Sequence, residues 1–142
     1  MLIREIENSI KQKDTRNFLN IIKSMSVEDF GSSDEGGLNV VHICVKHNAM
    51  KELLILLDSL PEQQQQLINQ KTKGLCPKTP IQLASESKNE AVTKLLIDVG
   101  VDLNEQEIDK MSKDFRGNSL FVSYLNELRD VKCKKEKKFW IF

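Results

Sequence analysis

Long apolar runs, regularly spaced cysteines, an excess of charge of either sign and glycosylation sequons are all missing from these 142 residues. No stretch approaches the ~18 apolar residues that a helical membrane span needs. Met1-Leu2-Ile3-Arg4-Glu5 meets charge too early for a signal peptide. Three cysteines, an odd number, argue against a disulfide framework. With 21 Lys+Arg against 21 Asp+Glu there is no global field to favour nucleic acid or an acidic substrate. No Cys-x-x-Cys pair suggests zinc. Gly36-Gly37 lacks the preceding strand and the Lys-Ser/Thr of a phosphate-cradling loop. His42 and Cys44, two apart on a helix, point away from each other, and Cys76 and Cys133 have no evident histidine partner for a nucleophile pair. The expectation is a non-catalytic protein of the cytosol or nucleus, with no metal and no cofactor.

What is present is helical patterning. Leu2, Ile3, Ile6 and Ile10 form one stripe of a first helix, and Phe18, Leu19, Ile22 and Met25 that of a second, with Asp14 or Thr15 as cap. Ser26 to Leu38 is turn-rich and acidic and reads as a loop. Asn39 caps a helix that starts at Val40, and Met50, Leu53, Leu54, Leu56 and Leu57 line the next. Gln63 to Gln66 read as a helix extension or a solvated loop. Thr79 precedes Pro80 at a first helical position, where the missing N–H costs nothing. Val92, Leu95, Leu96 and Val99 follow at helical spacing, and Gly100 sits where a left-handed cap is expected. Glu105 to Lys113 reads as an insertion. Ser119 is expected to cap a last helix pair whose first helix carries Leu120, Phe121, Tyr124, Leu125 and Leu128.

Thr79-Pro80-Ile81-Gln82-Leu83-Ala84 and Gly100-Val101-Asp102-Leu103-Asn104 resemble the ankyrin repeat's Thr-Pro-Leu-His-x-Ala and Gly-Ala-Asp-Val-Asn, with Gln82 in place of His. Gly37-Leu38-Asn39-Val40-Val41-His42-Ile43-Cys44 falls in the same register and keeps the His, as a structural group bonded to the neighbouring loop. The resemblance implies an all-α ankyrin-repeat solenoid of about three to four stacked helix-turn-helix units with finger loops. The domain is expected over 1–131, with a capping repeat at 1–25, repeats at 37–60 and 79–104, and a closing repeat at 118–131. A basic-aromatic tail occupies 132–142, expected to fold back on the last repeat. Its lysines leave a solvated face, an import or acidic-partner patch and membrane-surface contact as alternatives.

The run from Gly37 to Phe121 further resembles the ankyrin domains of the inhibitors of NF-kappa-B and of the NF-kappa-B precursors. Val40–His47, the lengthened helix before Leu67-Ile68-Asn69-Gln70, and Arg116-Gly117-Asn118-Ser119-Leu120 carry this likeness. The chain departs from them in having fewer repeats, no Asp-Ser-Gly-x-x-Ser degron, and no His-x-Ala around Val122 and Tyr124. The resemblance implies a monomer that binds a protein and no nucleic acid. The partner is either a Rel/NF-kappa-B transcription factor held by sequestration or an unrelated protein bound by an adaptor or pathogen effector. Carried over by position, the contact residues are Glu35, Leu38, Lys46, His47, Leu75, Cys76, Lys78, Glu86, Ser87, Phe115, Arg116 and Asn118. Leu38, Leu75 and Phe115 are expected to be exposed apolar anchors, with Arg116 a hot spot beside them.

Overall fold

The helices that start at Thr15, Val27, Val40, Pro80, Glu90, Glu105 and Ser119 do so where a side chain receives backbone N–H groups that a first turn leaves unpaired. The computed structural model describes residues 2–140, with side chains described through residue 131. Helix α1, Leu2–Lys11, buries Ile3, Ile6 and Ile10, and α2, Thr15–Ser24, buries Phe18 and Ile22. The Asp14 carboxylate caps α2 by accepting from the Asn17 N–H at 3.0 Å. The expected loop from Ser26 to Leu38 instead starts with a short helix, α3, Val27–Phe30. Ser26 and Asp29 close a reciprocal capping box there, and Phe30 drops into the core.

Helix α4, Val40–Lys46, is capped by Asn39, and α5, Met50–Ser59, follows after a tight turn. A kinked 3-10 helix over Glu62–Asn69 absorbs the glutamines and buries Leu67 and Ile68. Helix α6, Pro80–Glu86, starts from Thr79 with Pro80 in its first turn, as the sequence predicts. Helix α7, Glu90–Asp98, ends at Gly100, whose φ of +95° is the left-handed conformation expected of it. Helix α8, Glu105–Asp114, replaces the insertion predicted there. Helix α9, Ser119–Trp140, closes the chain. Asn118 caps it in place of the predicted Ser119, its Oδ1 accepting from the Phe121 N–H at 3.2 Å. The side chains of 132–142 lie outside the described residues, and with them the expectation that the tail folds back.

The helices form antiparallel pairs, α1 with α2, α4 with α5, α6 with α7 and α8 with α9. Across pairs, α1 packs on α4, α4 on α6, and α6 on α8, while α2 packs on α5. One apolar cluster runs through all of them, from Ile3 to Leu125. Among the described residues the secondary structure is helical apart from one antiparallel bridge, Ser33 to Asn39.

Three of the intra-pair turns are copies of one another. Lys13, Asn48 and Lys88 take φ of +57°, +53° and +58°. Each donates its N–H three residues back, and the residue after it donates five back: Asp14 to Ser9, Ala49 to Cys44 and Asn89 to Ala84. That double bond pattern satisfies the last carbonyls of the preceding helix. Chain geometry therefore repeats where the side chains do not.

His42 joins two units. Its Nδ1 accepts from the Asn39 N–H at 3.2 Å, so the proton sits on Nε2, which faces the Lys78 carbonyl at 3.1 Å. Burial disfavours the imidazolium and holds the His42 pKa below the usual histidine range, although the bond to Lys78 acts the other way. Asn39 reaches across as well, donating to the Leu67 carbonyl at 3.1 Å and to Gln70 Oε1 at 2.8 Å. The ring is fully buried and bonded to the neighbouring loop, as expected.

Candidate partner-binding face

The first helices of successive pairs pack on one another, α1 on α4, α4 on α6 and α6 on α8, and ion pairs join α1 to the end of α4 and α6 to α8. Glu7 on α1 accepts from His47 Nε2 at 2.9 Å and lies 3.8 Å from Lys46 Nζ, both at the end of α4. The His47 hydrogen bond holds the Glu7 carboxyl below the usual carboxylate range. Further along, Glu86 accepts from both Lys78 and Lys110, the latter at 2.9 Å. Burial works against the charged carboxylate, but the two ammonium hydrogen bonds outweigh it and the Glu86 pKa is lowered. The same bond to Glu86 raises Lys110. Ser85 donates to Asp114 Oδ2 at 2.8 Å, tying α6 to α8.

The turns of successive pairs are also linked. The Asn89 amide donates to the Asn48 Oδ1, and the Asn118 amide donates to Glu90 Oε2 at 2.8 Å. Between the turns lies a cleft of about 360 Å³ lined by Val45, Lys46, Asn48, Ser87, Lys88, Asn89 and Glu90. Of the predicted contacts, Lys46 and Ser87 meet there. Both are exposed, and Ser87 closes α6 by donating its N–H to the Leu83 and Ser85 carbonyls.

Glu35 is exposed on the first finger, residues 33–39, and Leu75 and Cys76 are exposed at the tip of the second, residues 70–78. His47, Lys78 and Glu86 are half-buried and already occupied by the ion pairs above. Leu38 is half-buried against the core, not a free anchor. Phe115 is the plain correction. It is only 4% exposed and packs edge-on to Phe121, ring centroids 4.5 Å apart. Its register explains the error: residues 115–118 form the turn between α8 and α9, so they do not form a finger loop before a first helix. Asn118 serves as cap and inter-turn link, and Arg116 remains exposed.

Sequence reasoning missed Lys71 and Lys73, both exposed on the second finger. The signal available was an acid-free run: between Gln63 and Ser85 there are three lysines and no aspartate or glutamate. Cys44 is buried, which pushes its thiol far up and leaves it a poor nucleophile. No group of three or more His, Cys, Asp or Glu could hold a metal ion among the described residues. No helix among them is long and apolar enough to cross a membrane.

No family model matches the chain. A protein of Acanthamoeba polyphaga mimivirus, described as a "putative ankyrin repeat protein", is 28% identical over 96% of this chain and 70% of its own length. That similarity, together with the all-helical fold, supports an ankyrin-repeat protein and a protein-interaction domain in preference to an enzyme. It carries nothing specific to inhibitors of NF-kappa-B.

Proposed function

We propose that this chain is a non-catalytic ankyrin-repeat module of four stacked helix pairs that binds a protein partner through the face lined by α1, α4, α6, α8 and the two finger loops. The observation that supports this best is the packing of successive first helices on one another, α1 on α4, α4 on α6 and α6 on α8, which would put their ends and turns along one wall. Stacked repeats bury their apolar stripes between neighbours and leave such a wall free. Its charges are matched locally, so a partner would find a rigid surface with preset polar groups and pay little to order it. Within this reading the chain acts as a monomer in the cytoplasm or nucleus. A Rel homology domain is the first partner to try, because residues 37–121 resemble the inhibitors of NF-kappa-B. An adaptor or effector with an unrelated partner is the alternative, and the mimivirus relative is compatible with it.

The test uses the full chain against an immobilised Rel homology domain, and against cell extract with quantitative mass spectrometry. The variant for comparison is Ser87→Arg with Arg116→Glu, two exposed positions. The expected result is a retained partner whose capture falls by about tenfold or more in the variant, at an unchanged melting temperature. Capture of the Rel domain selects the inhibitor-like function; capture of another protein, with the same loss, selects the alternative. Capture that the variant leaves untouched would remove the turns after α6 and α8 from the binding site.

A further inference from the structure

The second finger is held at its base and bare at its tip. Thr72 donates its N–H to the Lys78 carbonyl at 2.9 Å, and the Lys78 N–H returns to Thr72 Oγ1 at 3.0 Å. The same Lys78 carbonyl faces His42 Nε2, and the Lys73 N–H donates to the Gly36 carbonyl of the first finger at 3.0 Å. The loop is thus clasped to itself, to α4 and to its neighbouring finger. Beyond the clasp, Leu75 is 102% exposed, so the folded chain covers none of it. No other large apolar residue that the structure describes is as bare. Holding a leucine in water on an anchored loop forgoes burial that other leucines of the chain obtain, yet the ordering cost of a contact there has largely been met.

The second finger's own charges have one sign, Lys71, Lys73 and Lys78 with no acid between them, while Asp34 and the exposed Glu35 belong to the first finger beside it. Lys71 and Lys73 are exposed and form no ion pair among the described residues. Glu86 is shared by Lys78 and Lys110, and the Asp114 carboxylate also acts on Lys110, so that cluster is balanced and the uncompensated lysines of the finger are Lys71 and Lys73. Asp34 of the first finger, the carboxylate just across the loop pairing, is bonded to the backbone N–H groups of Gly36 and Leu38. The chain as a whole is neutral, so this local excess is a property of the finger.

We propose that the second finger is the specificity element of the binding face, and that it takes an acidic protein segment bearing an apolar residue. Leu75 packs against that residue, and Lys71 and Lys73 pair with flanking carboxylates. This deepens the reading of the chain as a protein-binding module and rests on it.

The experiment pans a displayed library of random peptides against the full chain, against Leu75→Ser and against Lys71→Glu with Lys73→Glu. All substituted positions are exposed, and circular dichroism checks that each variant melts like the wild type. The expected wild-type selection is enriched in Asp and Glu together with an aliphatic or aromatic residue. Its affinity drops by about tenfold or more in Leu75→Ser. Lys71→Glu with Lys73→Glu loses the acidic peptides and their salt sensitivity. Selected peptides without acidic enrichment, or ones that bind all three proteins equally, would overturn the proposal while leaving a binding module in place. If those peptides are instead lost in Ser87→Arg with Arg116→Glu, the site lies at the turns after α6 and α8. A library that yields nothing on the wild type would count against both.

Discussion

Phe115→Ala should lower the unfolding free energy by about 3–4 kcal/mol, while Arg116→Ala should leave it within about 0.5 kcal/mol. The neighbours differ because the chain turns between them. Phe115, the residue that closes α8, continues the apolar line of Ile108 and Met111, spaced three and four apart. Its ring closes the α8–α9 pair against Phe121, which in turn stacks on Tyr124 at 5.7 Å. Truncation leaves a cavity that two neighbouring aromatic rings cannot easily refill. Arg116 points into water and adds little to stability. Urea unfolding of both variants separates them: a midpoint shift confined to Phe115→Ala is expected. Equal shifts, or none for Phe115→Ala, would mean that the turn is not seated as described. A binding defect in Phe115→Ala alone would be a folding effect, so only Arg116 of this pair can report on the interface.

Gly37→Ala should cost about 2–4 kcal/mol, whereas Gly100→Ala should cost about 1 kcal/mol. Both glycines are left-handed, with φ of +81° and +95°, so an alanine at either bears the same backbone strain. The difference is space. A Cβ on Gly37 would stand 2.7 Å from the Lys73 backbone nitrogen, and nothing lies within 4 Å of a Cβ on Gly100. Relief at Gly37 requires moving the second finger off the first, breaking the Lys73–Gly36 hydrogen bond. Melting temperatures should therefore fall by roughly 10 °C for Gly37→Ala and a few degrees for Gly100→Ala. The reverse order would contradict the close contact between the fingers.

The middle of the chain was legible because its helix starts are written in local chemistry. Asn39 and Thr79 cap as predicted, Pro80 enters the first turn, Gly100 adopts the left-handed exit, and His42 bonds to the next loop. Helix α8 was not legible because seven of its ten residues are charged or glutamine and only Ile108 and Met111 within it face the core. A usable signal was there, since Asn104 with Glu107 forms a capping box. Missing it shifted the register of everything after Asn104 and turned Phe115 from a core residue into an expected anchor. The finger at 70–78 was read for its apolar tip, but its lysines matter only once the loop pairing and the Glu86 cluster show which charges remain uncompensated. Packing between units, which decides that, leaves no periodic trace in sequence.

The central claim is that each helix pair leans on the next through specific bonds, and the His42 ring is the most direct reporter. Nitrogen-15 NMR of the imidazole across a pH series reads both its tautomer and its charge. The expected result is a neutral ring with the proton on Nε2 that charges only below the usual histidine range. Because the unfolded chain would take up that proton more readily, stability should be fully present above about pH 6.5, the ordinary value, and decline as pH falls below it. A ring that titrates like a free histidine, or carries its proton on Nδ1, would contradict the bond to Lys78 and with it the stacked arrangement.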